Sequence, residues 1–357
     1  MPKTWLFVTG AMILVALAPE GQVEGLLPVK CLVAFICLMF SLKFLMAGVF
    51  TPMTIEQVRL PTMQVERPSW LVEPTLFAIF GLWLTIAMTR LADKKALRTQ
   101  ATLLCVCGLL VAGMALTQRI NLFQWIVIDW GAVGSASSRM IGPFGNHMLT
   151  GNYLAIIAPL FLMFPKRYWG GWLVCVVTIL LTGNKAGLLS LSLGLMAWFM
   201  LKRMWFSAIL LILGSVYAVI THLNVDDGGR LVMWNGIYTL WKQTHQVYFG
   251  TGLGWIHNTF MHIGNQLVGS NFFSAHNDWL TVLVELGMVG AAIVLWGIGN
   301  LGYRIFLSDK TPELCAYASS LIATIPILTF GFPIRIAPLV LVLITAWSAT
   351  TWLSNEN

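Results

Sequence analysis

Charge is what this sequence has least of. Only 10% of its 357 residues are charged, against 58% that are hydrophobic, whereas soluble domains carry about a quarter charged residues. That scarcity excludes an ordinary water-soluble domain. Period-two alternation is missing as well, so strands are not expected. Apolar runs long enough to cross ~30 Å of hydrocarbon recur instead, and in lipid every backbone polar group must be paired internally. The runs should therefore be helices.

Common catalytic signatures are absent too. The chain has no P-loop, GxSxG or HExxH, and no paired aspartates of the kind a soluble sugar-nucleotide transferase uses to hold a metal. Its six cysteines, Cys31, Cys37, Cys105, Cys107, Cys175 and Cys315, lie in or beside apolar segments and read as packing residues. Cys105 and Cys107 are too close for a CxxC motif. His257 and His262 are five apart, not the four that a helical metal pair prefers. No metal and no cofactor is expected. Gly250-Thr251-Gly252-Leu253-Gly254 lacks the strand–helix setting of a dinucleotide loop and reads as a turn.

What the chain does have is a membrane protein's punctuation. Apolar segments fall near 4–18, 26–50, 74–89, 100–117, 151–164, 172–182, 187–201, 206–222, 277–301, 315–330 and 336–353. The first has no small-residue cleavage site and is expected to remain a span. Sixteen tryptophans, among them Trp5, Trp70, Trp169, Trp172 and Trp205 near segment ends, fit an interfacial aromatic belt. The expectation is one all-α integral-membrane domain over residues 1–357, a polytopic transmembrane helical bundle of about ten to twelve spans. A re-entrant or interfacial piece is expected over Phe44–Ile55. The net charge of +7 needs no nucleic acid. It matches the basic loops that the positive-inside rule requires on the cytoplasmic side.

Those basic clusters set the orientation. Arg90, Lys94, Lys95 and Arg98, then Lys166–Arg167, Lys202–Arg203, and Arg304 with Lys310 mark one side. Gln118–Thr150, Gly183–Ala186, Leu223–Ala275 and Gly331–Arg335 fall on the other, outer side. The longest of these, over 223–275, is the large extracytoplasmic loop. Within it Leu231, Trp234, Tyr238, Trp241 and His245 recur at helical spacing, which predicts an interfacial helix with an aromatic stripe.

Ionisable residues at the outer edge of an apolar bundle are costly, which makes them functional candidates. The densest group is Ser274–Gly290, SAHNDWLTVLVELGMVG. Ser274 is a plausible N-cap, which would put His276 and Asn277 in a first helical turn. A helix N-terminus and nearby hydrocarbon both disfavour imidazolium, so a neutral His276 could accept a proton. On that helix His276 would lead a face with Leu280, Leu283 and Gly287. Glu285, deep in the same segment, is expected to be a buried structural acceptor.

Three cations stand on separate outer connections. Arg139 opens a Gly-rich stretch leading into a span, Lys185 sits in TGNKAG, and Arg230 begins the aromatic helix. Their convergence near His276 would suit a phosphate or diphosphate. Arg335 is a further outer cation.

Three blocks, in order, carry a resemblance. Arg139–Tyr153 contains Gly-Pro-Phe-Gly-Asn and Gly-Asn-Tyr, with Leu154 next. Gly229-Arg230-Leu231 with Trp234 is followed by Gly250-Thr-Gly252-Leu-Gly254. Ser274–Gly290 carries His-Asn-x-x-Leu and Glu-x-Gly-x-x-Gly. Together they resemble the O-antigen ligase and O-antigen polymerase superfamily of polytopic membrane glycosyltransferases. Where that family often has Ser-Arg before a glycine, this chain has Asn184 and Lys185; His147 stands where Pro is usual.

The resemblance implies a GT-C-like fold in the bacterial inner membrane, with the active site on the periplasmic side. It implies an inverting, metal-independent transfer from an undecaprenyl-diphosphate-linked glycan donor to a lipid, glycan or protein acceptor. His276 would be the base and Arg230 would hold the diphosphate. Arg139, Lys185, Asn277, Asp278, Trp234 and Arg335 would line the substrate site, with Glu285, Gly287 and Gly290 in support. No soluble domain follows the final apolar segment, which tips the expectation toward a ligase acting on lipid A–core. A transporter or flippase for an anionic lipid-linked substrate is the contrasting class. It should show inverted repeats and broken helices, and the sequence reveals neither. A structural assembly subunit is a third reading, for which a His–Asn–Asp entry would be wasteful.

Overall fold

The computed structural model describes residues 94–120, 140–144, 146–209, 211, 230–252, 255–256, 275–331 and 337–355. Among these the chain is all-helical, with no strand. The expected segments before residue 94, the piece at 44–55, and most of the 206–222 segment lie outside the described residues.

Eight α-helices organise the described chain: α1 (Lys94–Arg119), α2 (His147–Ile157), α3 (Trp169–Thr182), α4 (Lys185–Leu201), α5 (Arg230–Gln243), α6 (Asp278–Leu307), α7 (Pro312–Phe330) and α8 (Ala337–Asn355). Of these α1, α6 and α7 are long and apolar enough to cross a membrane, while 147–163 and α4 are apolar but shorter. Three helices therefore meet the length criterion among the described residues, against the ten to twelve spans expected for the whole chain.

Local chemistry sets the ends. Asn146 caps α2 in an extended conformation, its side chain accepting from the Met148 amide at 2.7 Å. The run expected as one span over 151–164 then changes character. Pro159 removes an amide that an α-helix would use, and Ala158–Met163 continues as a tighter 3₁₀ helix. Thr311 caps α7 through the Leu314 amide, with Pro312 at the first helical position.

The core lies where α2, α4 and α7 meet. Gly194 of α4 faces Ala323 and the Ser319 carbonyl of α7, so the two backbones approach closely, as small residues permit in apolar bundles. Two polar side chains on α7 bond to backbone of neighbouring helices. Ser320 Oγ donates to the Ile156 carbonyl at 2.5 Å and Tyr317 Oη to the Leu97 carbonyl at 2.8 Å.

Chain direction alternates, and the basic clusters gather at one end. Arg98 of α1 pairs with Glu313 of α7 at 2.5 Å. Lys202, just past α4, donates to the Lys310 carbonyl at 3.1 Å, and Arg304 of α6 to Asn355 of α8 at 2.7 Å. The opposite end holds the close of α1 and the starts of α2, α4 and α6. There Arg119 donates to the Leu181 carbonyl at 3.2 Å, and Trp279 Nε1 to Thr329 Oγ1 at 3.2 Å.

Candidate functional site

At this second end α6 begins, though not where its sequence implies. Ser274 lies outside the described residues, and Asn277 is the N-cap. It is extended at φ −158°, ψ 103°, and its Oδ1 accepts from the Leu280 amide at 2.9 Å. His276 thus precedes the helix instead of sitting in its first turn. Its φ of 47° is left-handed, uncommon for a residue with a side chain and often found at functional sites. His276 and Asn277 are half-buried, and Asp278, the first helical residue, is buried. The face expected to run from His276 through Leu280 and Leu283 does not exist as such. Leu280 and Leu283 pack instead against α5.

The turn at His276 is held from outside by α5. Trp234 donates its indole N–H to the Ala275 carbonyl at 2.7 Å. Met233, Ile237 and Trp241 are buried with Ile256, Ala275 and Val284 in a satellite core. Arg230 is the first residue of α5, one turn before Trp234 and on the same side of the helix. The expected helix is therefore present, but its stripe is displaced. Leu231 and Tyr238 are exposed, and Met233 and Ile237 take the inner face.

α6 is not one uninterrupted helix. Gly287, at φ 72° and ψ −176°, breaks it, a discontinuity that corrects the expectation of an unbroken segment over 277–301. The freed backbone groups are taken up by the turn at 247–252. Thr251 and Gly252 amides donate to the Val284 and Glu285 carbonyls at 3.0 and 3.1 Å. Met288 and Val289 amides donate to the Val247 and Tyr248 carbonyls at 2.9 and 3.1 Å. Glu285 is buried, and its carboxylate accepts from the Ile256 amide at 3.3 Å. Gly290 follows in the second half, where an added Cβ would meet the Leu286 side chain.

Lys185 begins α4 directly after Asn184, whose amide group donates to the Met148 carbonyl at 2.6 Å and to Asn152 Oδ1 at 2.7 Å. This Asn152–Asn184 pair was not singled out from the sequence. Its signal was there, an asparagine inside the apolar run GNYLAII. Nearby, Gln118 closes a two-way bond with Gly142, donating to its carbonyl at 3.3 Å and accepting from its amide at 2.8 Å. Arg139 and Arg335 lie outside the described residues, as do His257 and His262. The structure thus joins Arg230's helix to His276's turn and fixes Lys185 beside α2. Among the described residues no three His, Cys, Asp or Glu side chains gather as metal ligands.

No protein-family model matches the chain, and no curated protein matches it in sequence.

Proposed function

We propose that this chain is a polytopic membrane glycosyltransferase of the O-antigen ligase type. It moves a glycan from an undecaprenyl diphosphate carrier to an acceptor hydroxyl, with lipid A–core the favoured acceptor. The observation that carries the reading is the Trp234–Ala275 hydrogen bond of 2.7 Å. It ties the helix that begins with Arg230 to the backbone that presents His276.

In this reading neutral His276 accepts the proton of the acceptor hydroxyl as its oxygen attacks the anomeric carbon. The bond from that carbon to the carrier diphosphate breaks with inversion. The negative charge left on the diphosphate is met by Arg230, joined by Lys185, Arg139 and Arg335. Asn277 and Asp278 shape the entry, and Glu285 holds the scaffold behind it. The gathering of Arg98, Lys202, Arg304 and Lys310 at one end supports an orientation with that end cytoplasmic and His276 extracytoplasmic.

The break at Gly287 does not favour the carrier alternative. Broken helices in transporters leave backbone groups for the cargo, whereas here the 247–252 turn occupies them. The test is transfer in a reconstituted system with a defined lipid-linked donor and several acceptors. His276→Ala should abolish transfer, and full retention would sink the general-base role. Arg230→Ala should weaken donor binding more than Arg230→Lys does. Equal loss in both would point to bidentate contact with the diphosphate.

A further inference from the structure

The end of the bundle away from His276 holds a cleft that the transfer chemistry does not use. It has a volume of about 590 Å³ and is lined by Arg98, Leu162, Phe164, Lys166, Trp198 and Lys202 among others, within the range of small-molecule sites, about 300–1,000 Å³. Three of these side chains are cationic, and their states differ. Arg98 is neutralised by Glu313. Lys202 spends one donor on the Lys310 carbonyl at 3.1 Å and lies 5.5 Å from the Trp198 ring centre. The exposed Lys166 ammonium makes no hydrogen bond or ion pair among the described residues. The remaining wall is apolar, built from the 3₁₀ end of the α2 segment and from Trp198.

An apolar wall with an excess of positive charge at its mouth, at the end of a bundle of apolar helices, matches one kind of molecule. We propose that this cleft binds an anionic phospholipid, its phosphate between Lys166 and Lys202 and its glycerol and upper acyl chain against Leu162, Phe164 and Trp198. Basic pockets between helices on the cytoplasmic side take such headgroups, and each lysine near the surface contributes to holding them. Lys202 is already oriented by Trp198 and the Lys310 carbonyl, so less side-chain freedom is lost on binding. The proposal rests on the membrane orientation given above and not on the transfer reaction.

The experiment uses the full chain in nanodiscs of phosphatidylcholine with a minor fraction of phosphatidylglycerol, followed by mild delipidation and native mass spectrometry. The wild type should retain phosphatidylglycerol selectively. Lys166→Gln with Lys202→Gln should weaken retention roughly thirtyfold, as expected for removing two lysines at a charged membrane surface. Lys166→Gln alone changes an exposed side chain and should show a smaller loss even if the double variant folds poorly. Lys166→Arg should keep retention. Equal retention of phosphatidylcholine, no loss in either glutamine variant, or displacement of the lipid by millimolar inorganic phosphate would each overturn the proposal. Transfer by wild-type protein is read separately, so failure of the lipid site and failure of the glycosyltransferase reading are distinguishable.

Discussion

Gly250 and Gly287 cross backbone to backbone, both with left-handed φ, at 77° and 72°. A Cβ on Gly250 would stand 2.5 Å from the Gly287 nitrogen, and one on Gly287 would meet the Gly250 nitrogen and the Tyr248 carbonyl. The break in α6 and the turn of the long loop are therefore one feature. Neither closes without the other.

Gly287→Ala and Gly250→Ala should each destabilise the protein by about 2 kcal/mol or more, because the new Cβ meets rigid backbone and the conformation itself is strained. Gly287 has φ 72° and ψ −176°, a region essentially reserved for glycine, so asparagine should not rescue it. Thermal unfolding of the purified chain in detergent checks this. A Gly287→Asn variant as stable as wild type would show that the break is not held as described.

Trp234 and Trp241 lie on the same helix and invite opposite outcomes. Trp234 Nε1 holds the Ala275 carbonyl, whereas the buried Trp241 Nε1 has no hydrogen-bond partner among the described residues. Under the proposed mechanism, Trp234→Phe should slow transfer on the order of tenfold to a hundredfold by loosening the His276 turn. Trp241→Phe should cost packing stability and leave the transfer rate unchanged. Equal rates in the two variants would separate α5 from the positioning of His276.

Asn277 carries the start of α6. Asn277→Ala removes the acceptor of the Leu280 amide and should cost about 1 kcal/mol. Asn277→Ser should recover most of that loss. Chemical denaturation of the three proteins decides it, and an unchanged alanine variant would mean that the cap contributes nothing.

Two features of the bundle were legible in the sequence and three were not. The basic clusters predicted one shared side, and Arg98, Lys202, Arg304 and Lys310 do stand at one end, because charge is rare enough here to be informative. The helix beginning at Arg230 was legible from its spacing. Its buried face was not, since Leu231 and Met233 are equally apolar and only the partner helix chooses between them. The start of α6 was misplaced by three residues because Ser274 and Asn277 are both good caps. The break at Gly287 was hidden because an apolar run keeps its character through a kink when another segment supplies the missing hydrogen bonds.

Two tyrosines of the central core, Tyr153 and Tyr317, are fully buried. Tyr317 Oη donates to the Leu97 carbonyl at 2.8 Å, whereas Tyr153 Oη has no hydrogen-bond partner among the described residues. The Tyr153 ring packs at 5.0 Å between centroids against Phe144, so its fit depends on shape and not on the hydroxyl. A buried hydrogen bond contributes about 1 kcal/mol net, while an unpaired buried hydroxyl costs about as much or more. Tyr317→Phe should therefore lower stability by about 1 kcal/mol, and Tyr153→Phe should be neutral or stabilising. Unfolding midpoints in the same detergent compare them directly. A larger loss from Tyr153→Phe than from Tyr317→Phe would mean that the Tyr153 hydroxyl has a polar partner supplied by residues outside those described or by a bound water.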